Sequence, residues 1–321
     1  LFDSQLGELA SLATAFLWAC CSLLFTLGSK RIGATVVNTT RLIFALLFIS
    51  TFHFYQFGRV IPWETEPWRW GWLGVSSILG LVIGDGALFF AFMRIGPQLS
   101  MLVMTLVPVI CTFFAWLMFG ESIRPLEYVG IGVTVLAIGW VVSEQRTAPN
   151  QEEEADNTAV EGEAQTNGLD QAAERKNFWI GIGLAFVGVL GQTANVIMTK
   201  VALEGDYSEL SATLCRVLVA VVCLVLWTVL TGNLLATLRK YKDVRALCYV
   251  ASGAFVGPFL GIWFSYIAIE NTRVGIATTI MATPPLLLLP LGAIFLSDRV
   301  TIRAFVGTVL AIVGVSILFL K

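Results

Sequence analysis

The sequence predicts an all-α membrane protein in which ten transmembrane helices form two inverted five-helix repeats. Three observations lead there. Of the 321 residues, 57% are hydrophobic and only 13% charged, about half the charged share of an average soluble chain. Apolar runs recur along the chain, most of them near the roughly 20 residues a helix needs to cross a hydrocarbon core of about 30 Å. The two halves also match each other at a fixed offset of 177 positions.

The clearest charge-free runs are 9–27, 98–119, 178–199, 246–269 and 274–296. Three others hold ionisable residues: 35–57 with Arg41 and His53, 70–92 with Asp85, and 210–230 with Arg216. Such groups need a protein partner, a wet cavity or the interface, because hydrocarbon solvates charge poorly. The shorter runs 128–142 and 305–320 complete the ten. The first run lacks a basic leading segment and is too long for the apolar part of a cleaved signal peptide. The six cysteines all fall in apolar runs, with neither metal-ligand nor disulfide-framework spacing.

Residues 144–176 carry nine acidic and three basic side chains among Gln, Ala, Thr and Asn. This composition predicts an acidic disordered linker, 144–177, between a first repeat at 1–143 and a second at 178–321. Outside it stand 17 basic and 13 acidic residues, which gives no basis for nucleic-acid binding. At the offset of 177, Gly80 matches Gly257, Gly84 matches Gly261, Met104 matches Met281, Pro108 matches Pro285, and Gly130 matches Gly307. An odd number of spans per repeat turns the second repeat upside down relative to the first, the usual plan of secondary transporters with a site near the midplane.

The segments "FLWACCSLLF", "TTRLIFALL", "PVICTFFAWLMFGES", "LCRVLVAV" and "GTVLAIVGVSIL", by their order and duplication, make the chain similar to the drug/metabolite transporter superfamily with EamA-type repeats. The resemblance covers nearly the whole chain apart from the linker. It implies that spans one to four and six to nine surround a central cavity, with five and ten at the periphery. It also implies a bacterial inner (plasma) membrane with both termini in the cytoplasm. The charge count points the other way, since placing the amino terminus inside leaves twelve basic residues outside and six inside. Members move amino acids, nucleotide sugars, sugar phosphates, cationic amines and lipid-linked sugars. In "QTANVIMTK", Gln192, Asn195 and Lys200 stand where the family often shows Trp, Asn and Lys. The first span keeps Trp18 but has Cys21 and Thr26 at the other two places.

Asp85 is the foremost candidate. It lies on the order of 6 Å from the middle of its run at the helical rise, too deep for a short side chain to reach water easily. Its repeat counterpart is Ile262, whereas Arg41 has a like residue, Arg216, at a matching place. The expected role of Asp85 is counter-ion to a cationic group on the solute or proton-coupling carboxylate; the alternative is a structural pair with Arg41 or Arg216. Those two arginines read as scaffold or as substrate contacts. Trp18, Phe89, Trp263 and Tyr266 are expected to wall an aromatic cavity for a planar or cationic solute. Gln192 and Asn195, costly against lipid, are expected to face it too. The alternative for the aromatics is a lipid-facing surface. His53, among Phe52, Phe54 and Tyr55, reads as part of an interfacial aromatic belt or as a proton relay. Lys30 and Lys200 read as interfacial anchors, and Glu121 and Asp298 as helix-end contacts. The paired glycines allow close helix approach, and Pro258 and Pro284–Pro285 create hinges.

These features favour a secondary transporter that moves a small polar or amphipathic metabolite, amino-acid-like or an organic cation, by alternating access. A flippase for a lipid-linked group is the alternative, and an intramembrane enzyme the minor one, since neither a nucleophile–base pair nor paired carboxylates are evident. Filter motifs and phosphate-binding loops are also absent, which disfavours a channel and direct ATP drive. No cofactor or metal is expected. The partners are the solute and membrane lipids, with proton coupling and a homodimer left open. Replacing residues 151–170 by a flexible chain of equal length is expected to leave folded yield and uptake near wild type. Loss of folded protein on size-exclusion chromatography would show instead that the linker docks.

Overall fold

The computed structural model of the chain describes residues 2–120, 124–145, 163–205, 207–272, 274–296 and 301–319. Within these the regular structure is helical throughout, without strands. Among the described residues eight helices are long and apolar enough to cross a membrane, joined by two shorter apolar helices, Leu106–Met118 and Ile302–Leu318. The chain is thus a multi-pass membrane protein.

The first half runs α1 (Phe2–Ile32), α2 (Ala34–Phe57), α3 (Pro67–Ser77), a π-helical segment (Ile78–Gly84), α4 (Asp85–Met104), α5 (Leu106–Phe119) and α6 (Pro125–Gln145). The second runs α7 (Glu163–Ala202), α8 (Glu209–Leu230), α9 (Leu234–Lys240), α10 (Val244–Ala254), a second π segment (Phe255–Gly261), α11 (Ile262–Asn271), α12 (Val274–Met281), α13 (Pro284–Phe295) and α14 (Ile302–Leu318). Local chemistry sets the corners. Gly33 (φ 89°) turns α1 into α2, and Gly96 (φ 77°) ahead of Pro97 bends α4, both conformations that a Cβ would strain. The apolar helix after that bend breaks at Thr105, and its counterpart in the second half breaks between α12 and α13. Pro108 and Pro285 lack the N–H that would bond to the carbonyls of Met104 and Met281, which explains both interruptions.

The two π segments occupy identical repeat positions, 78–84 and 255–261. In the first, the N–H of Asp85 donates to the carbonyl of Gly80, five residues back, the wide turn that defines this geometry. Each segment packs against the long helix of the opposite half. A Cβ on Gly80 would lie 2.6 Å from Cβ of Asn195, and one on Gly84 would lie 3.2 Å from Cα of Gly191, both on α7. In mirror fashion, a Cβ on Gly257 would lie 2.6 Å from Sγ of Cys21, and one on Gly261 2.7 Å from Nε1 of Trp18, both on α1. A third seam joins α6 to α14, where Gly130 faces the carbonyl of Gly314 and the hydroxyl of Thr134 donates at 3.5 Å to the carbonyl of Ala311. The glycine faces are therefore contacts between halves rather than within one.

Two expectations change. Helix α7 begins at Glu163, so the last part of the segment read as a disordered linker is helical; Ala, Gln, Glu, Arg and Lys dominate there and favour helix strongly. Residues 146–162 lie outside the described residues, as do Glu121 and Asp298. His53 is not part of an exposed aromatic belt. It is 2% exposed, with Nδ1 2.6 Å from the carbonyl of Arg59, Nε2 3.0 Å from Oγ of Ser211, and its ring against Phe57. Both ring nitrogens find partners, which is what permits the burial.

The seam between Gly84 and Gly191 yields a stability test. In Gly191→Ala the new methyl would sit 2.5 Å from the carbonyl oxygen of Leu79, whereas on the same helix a Cβ at Gly183 meets nothing within 4 Å. Gly191→Ala is expected to destabilise by about 1–3 kcal/mol through overpacking. Gly183→Ala is expected to be neutral or slightly stabilising, as thermal unfolding in detergent will show.

Candidate functional site

The first π segment delivers Asp85 to the interior, where it is 8% exposed. On one side Arg41 of α2 forms a salt bridge through Nη2 to Oδ2. On the other, Nε2 of Gln192 on α7 donates to Oδ1 at 2.5 Å. The chain of bonds continues in both directions. Asn195 donates to Oε1 of Gln192 at 3.0 Å, and Thr199 donates to Oδ1 of Asn195 at 3.4 Å. Nε of Arg41 donates to Oδ1 of Asn38 at 3.0 Å, and Asn38 donates to the carbonyl of Leu81 at 2.9 Å. That carbonyl belongs to the π segment, whose register leaves it able to accept a side-chain donor. The guanidinium of Arg41 also lies 4.9 Å from the ring centre of Phe89 and 5.9 Å from that of Phe25, within the range where a cation is attracted to an aromatic face.

This chain of polar groups crosses the seam between the two halves. A carboxylate withdrawn from water costs several kcal/mol, offset only when an opposite charge and further hydrogen bonds are supplied in good geometry. Arg41 supplies the charge and Gln192 the second donor. Close approach of α7 requires the small surface of Gly80, Gly84 and Gly191, so the glycines and the ion pair are parts of one arrangement.

Two cavities flank the site. One, of about 500 Å³, lies between α7 and α8 and is lined by Asn195, Thr199, Lys200, Glu209, Thr213 and Arg216, among others. The other, of about 450 Å³, is lined by Phe52, Pro258, Phe259 and Trp263, and shares Glu209 and Thr213 with the first. Arg216 differs from Arg41. Its Nε is shielded from solvent and has no hydrogen-bond partner among the described residues, although its backbone carbonyl accepts from Oγ of Ser77 at 2.5 Å.

The candidate residues therefore divide. Asp85, Arg41, Phe89, Gln192 and Asn195 meet in one cluster. Trp18 lies on the mirror seam against Gly261 and near Phe264, Ile267 and Met281. Trp263 lines the aromatic cavity, with its ring 5.5 Å from that of Phe52. Of the four residues expected to face a single cavity, Trp18, Gln192, Asn195 and Trp263, Asn195 and Trp263 line the two flanking cavities separately. The separation follows from the repeat, which puts Trp18 and Gln192 on opposite seams. The side chain of Tyr266 lies outside the described residues. Sequence reading missed Asn38 and Thr199. The spacing Asn38-x-x-Arg41, mirrored by Thr213-x-x-Arg216, was the available signal, because positions i and i+3 share a helix face.

Comparison with known proteins places this arrangement. The model of the EamA-like transporter family matches residues 5–143 and 179–320, one copy in each half. A search of curated proteins found no match. Among solved structures, one titled "Crystal structure of protein" is 15% identical, with a TM-score of 0.58, covering 97% of this chain and 95% of that one. At that identity the likeness shows the fold alone.

The buried pair can be tested by comparing single with double replacement. Arg41→Met leaves Asp85 charged and short of its counter-ion, at an expected cost of about 3–5 kcal/mol. Arg41→Met combined with Asp85→Leu removes both charges and is expected to recover most of that loss. Equal destabilisation by the single and double variants in chemical denaturation would show that the two groups do not act as a pair.

Proposed function

The chain belongs to the EamA-like transporter family, and from that premise we propose that it is a secondary transporter moving a small polar or amphipathic metabolite by alternating access. In this reading ten spans form two inverted five-helix repeats that rock about the seams built on the π segments. The observation that supports it most is the polar chain from Asn38 to Thr199, which links first-half helices to α7 through one buried carboxylate, Asp85. A purely structural seam has no need of a titratable group. The mirror seam places Trp18 and Cys21, not a carboxylate, against Gly261 and Gly257.

Asp85 is proposed as the coupling carboxylate. The charged and titratable groups within its reach are Arg41 on α2, Arg216 on α8 and Cys21 on α1, with the amide of Gln192 on α7. A proton on Asp85 cancels the attraction to Arg41 and replaces one acceptor by a donor. That loosens the seam on the first-half side and frees Gln192 and Asn195 to meet a solute. Phe89 holds Arg41 in place through its ring. Trp263 and Tyr266 are proposed to line the route on the second-half side.

Asp85→Asn keeps size and hydrogen-bonding capacity but cannot titrate near neutral pH. It is expected to reduce uptake into proteoliposomes at least tenfold and to flatten its dependence on pH, with the protein still folded. Normal uptake with an unchanged pH profile would remove Asp85 from the coupling role. Counterflow of water-soluble metabolites would separate a transporter from a lipid flippase, since the latter should give none.

A further inference from the structure

The two halves differ in one electrostatic respect. Arg41 and Arg216 occupy matching helices, each carrying a hydrogen-bonding residue three positions earlier, Asn38 and Thr213. Beside Arg41 the π segment presents Asp85. At the same position after the second π segment the residue is Ile262. The first guanidinium is neutralised by an ion pair, whereas the second forms none among the described residues. Asp85 is within electrostatic reach of Arg216, but its two oxygens already accept from Arg41 and Gln192. Two guanidiniums and one carboxylate thus share the interior, and Nε of Arg216 is sequestered without a hydrogen-bond partner among the described residues.

A guanidinium held this way is costly unless an anion completes it. Arg216 lines the cavity of about 500 Å³, together with Asn195, Thr199 and Thr213; the Asn195 amide has a second N–H beyond the one it gives Gln192, whereas both threonine hydroxyls already donate within the protein. We propose that Arg216 is the anchor for a carboxylate of the transported solute, which takes beside Arg216 the place that Asp85 takes beside Arg41. The planar fork of guanidinium donors matches a carboxylate's two oxygens. Glu204 and Glu209 also line this cavity and are exposed at its outer part. They repel a dianionic phosphate and accept from an ammonium, so the site favours a monocarboxylate, with or without a separate cationic group. This deepens the transporter reading, on which the word transported rests, and it reverses the sign of the group expected on the solute. Asp85 is already engaged, and the charge that awaits a partner is a cation.

Thermal unfolding of the purified protein tests the inference with sodium acetate, glycine, L-alanine and L-phenylalanine, against tetramethylammonium chloride and sodium phosphate at matched ionic strength. At least one carboxylate is expected to raise Tm saturably, and neither control should. Arg216→Gln is expected to weaken that carboxylate roughly 10- to 100-fold, the worth of a charge-assisted hydrogen bond. Arg216→Lys keeps the charge but loses the planar fork and is also expected to weaken that carboxylate, which keeps the test available if Arg216→Gln does not fold. The proposal is overturned if no carboxylate stabilises the wild type, if only phosphate or tetramethylammonium does, or if either folded variant keeps wild-type affinity. Counterflow of the same carboxylate in proteoliposomes distinguishes the two readings. Arg216-dependent stabilisation without counterflow retains the anchor and refutes transport, whereas counterflow with an unchanged KM in Arg216→Gln does the reverse.

Discussion

The arrangement of the helices around the first π segment depends on the need to satisfy one carboxylate away from water. Asp85 cannot reach the interface, and in hydrocarbon its charge must be met where it stands. The groups that meet it come from different elements: Arg41 from α2 and Gln192 from α7. Both must arrive within hydrogen-bond distance together, which fixes how closely α7 approaches the π segment. That closeness leaves no room for side chains at positions 80, 84 and 191, and all three are glycine. Asn38 then holds Arg41 and caps the carbonyl of Leu81, so the widened turn and the ion pair stabilise each other.

The π geometry recurs at 255–261, where no acid follows. The widened turn therefore does not depend on Asp85. Glycines at matching positions in both halves permit it, Pro258 contributes in the second by removing an amide donor, and the closely packed helix from the opposite half maintains it. The duplicated backbone carries different chemistry on its two copies. Charge and amides fill one seam, and an indole and a thiol fill the other.

Much of this was legible in the sequence because it rests on length, period and duplication. The spans followed from apolar runs of membrane-crossing length, a hinge in the ninth run from Pro284–Pro285, and the pairing of halves from the offset of 177, whereas the break ahead of Pro108 was not anticipated. Asp85, Arg41, Gln192 and Asn195 were marked by the cost of polar groups in an apolar run, which holds whatever the fold. Partnerships were less accessible. Asp85 and Gln192 lie 107 positions apart, and His53 and Ser211 lie 158 apart. No local pattern ties such residues together. The helical start of α7 at Glu163 was hidden by an acidic composition that also suits disorder, and the π segments were hidden because glycine-rich apolar helix reads alike in α and π form. Trp18 and Trp263 were assigned to one cavity on residue type, and type carries no information about which seam a residue faces.

The inequality of the seams bears directly on the proposed cycle. Opening a seam held by indole and sulfur packing costs in proportion to the apolar area exposed, and a proton or a small ion alters that cost little. Opening the seam at Asp85 breaks the hydrogen bond from Gln192 to its carboxylate, whose strength in a low dielectric depends steeply on whether the carboxylate is ionised. A proton at Asp85 therefore acts on one seam and leaves the other almost untouched. An anion at Arg216, on the helix that follows α7, acts from the second half on the same polar interior. A symmetric pair of acids would place the same titratable switch at both seams, so one proton-linked event could not favour one opening over its mirror. With Ile262 in place of the second acid, protonation and solute binding in the proposed cycle would address different halves, and that division would let chemistry at the polar interior select a direction of rocking.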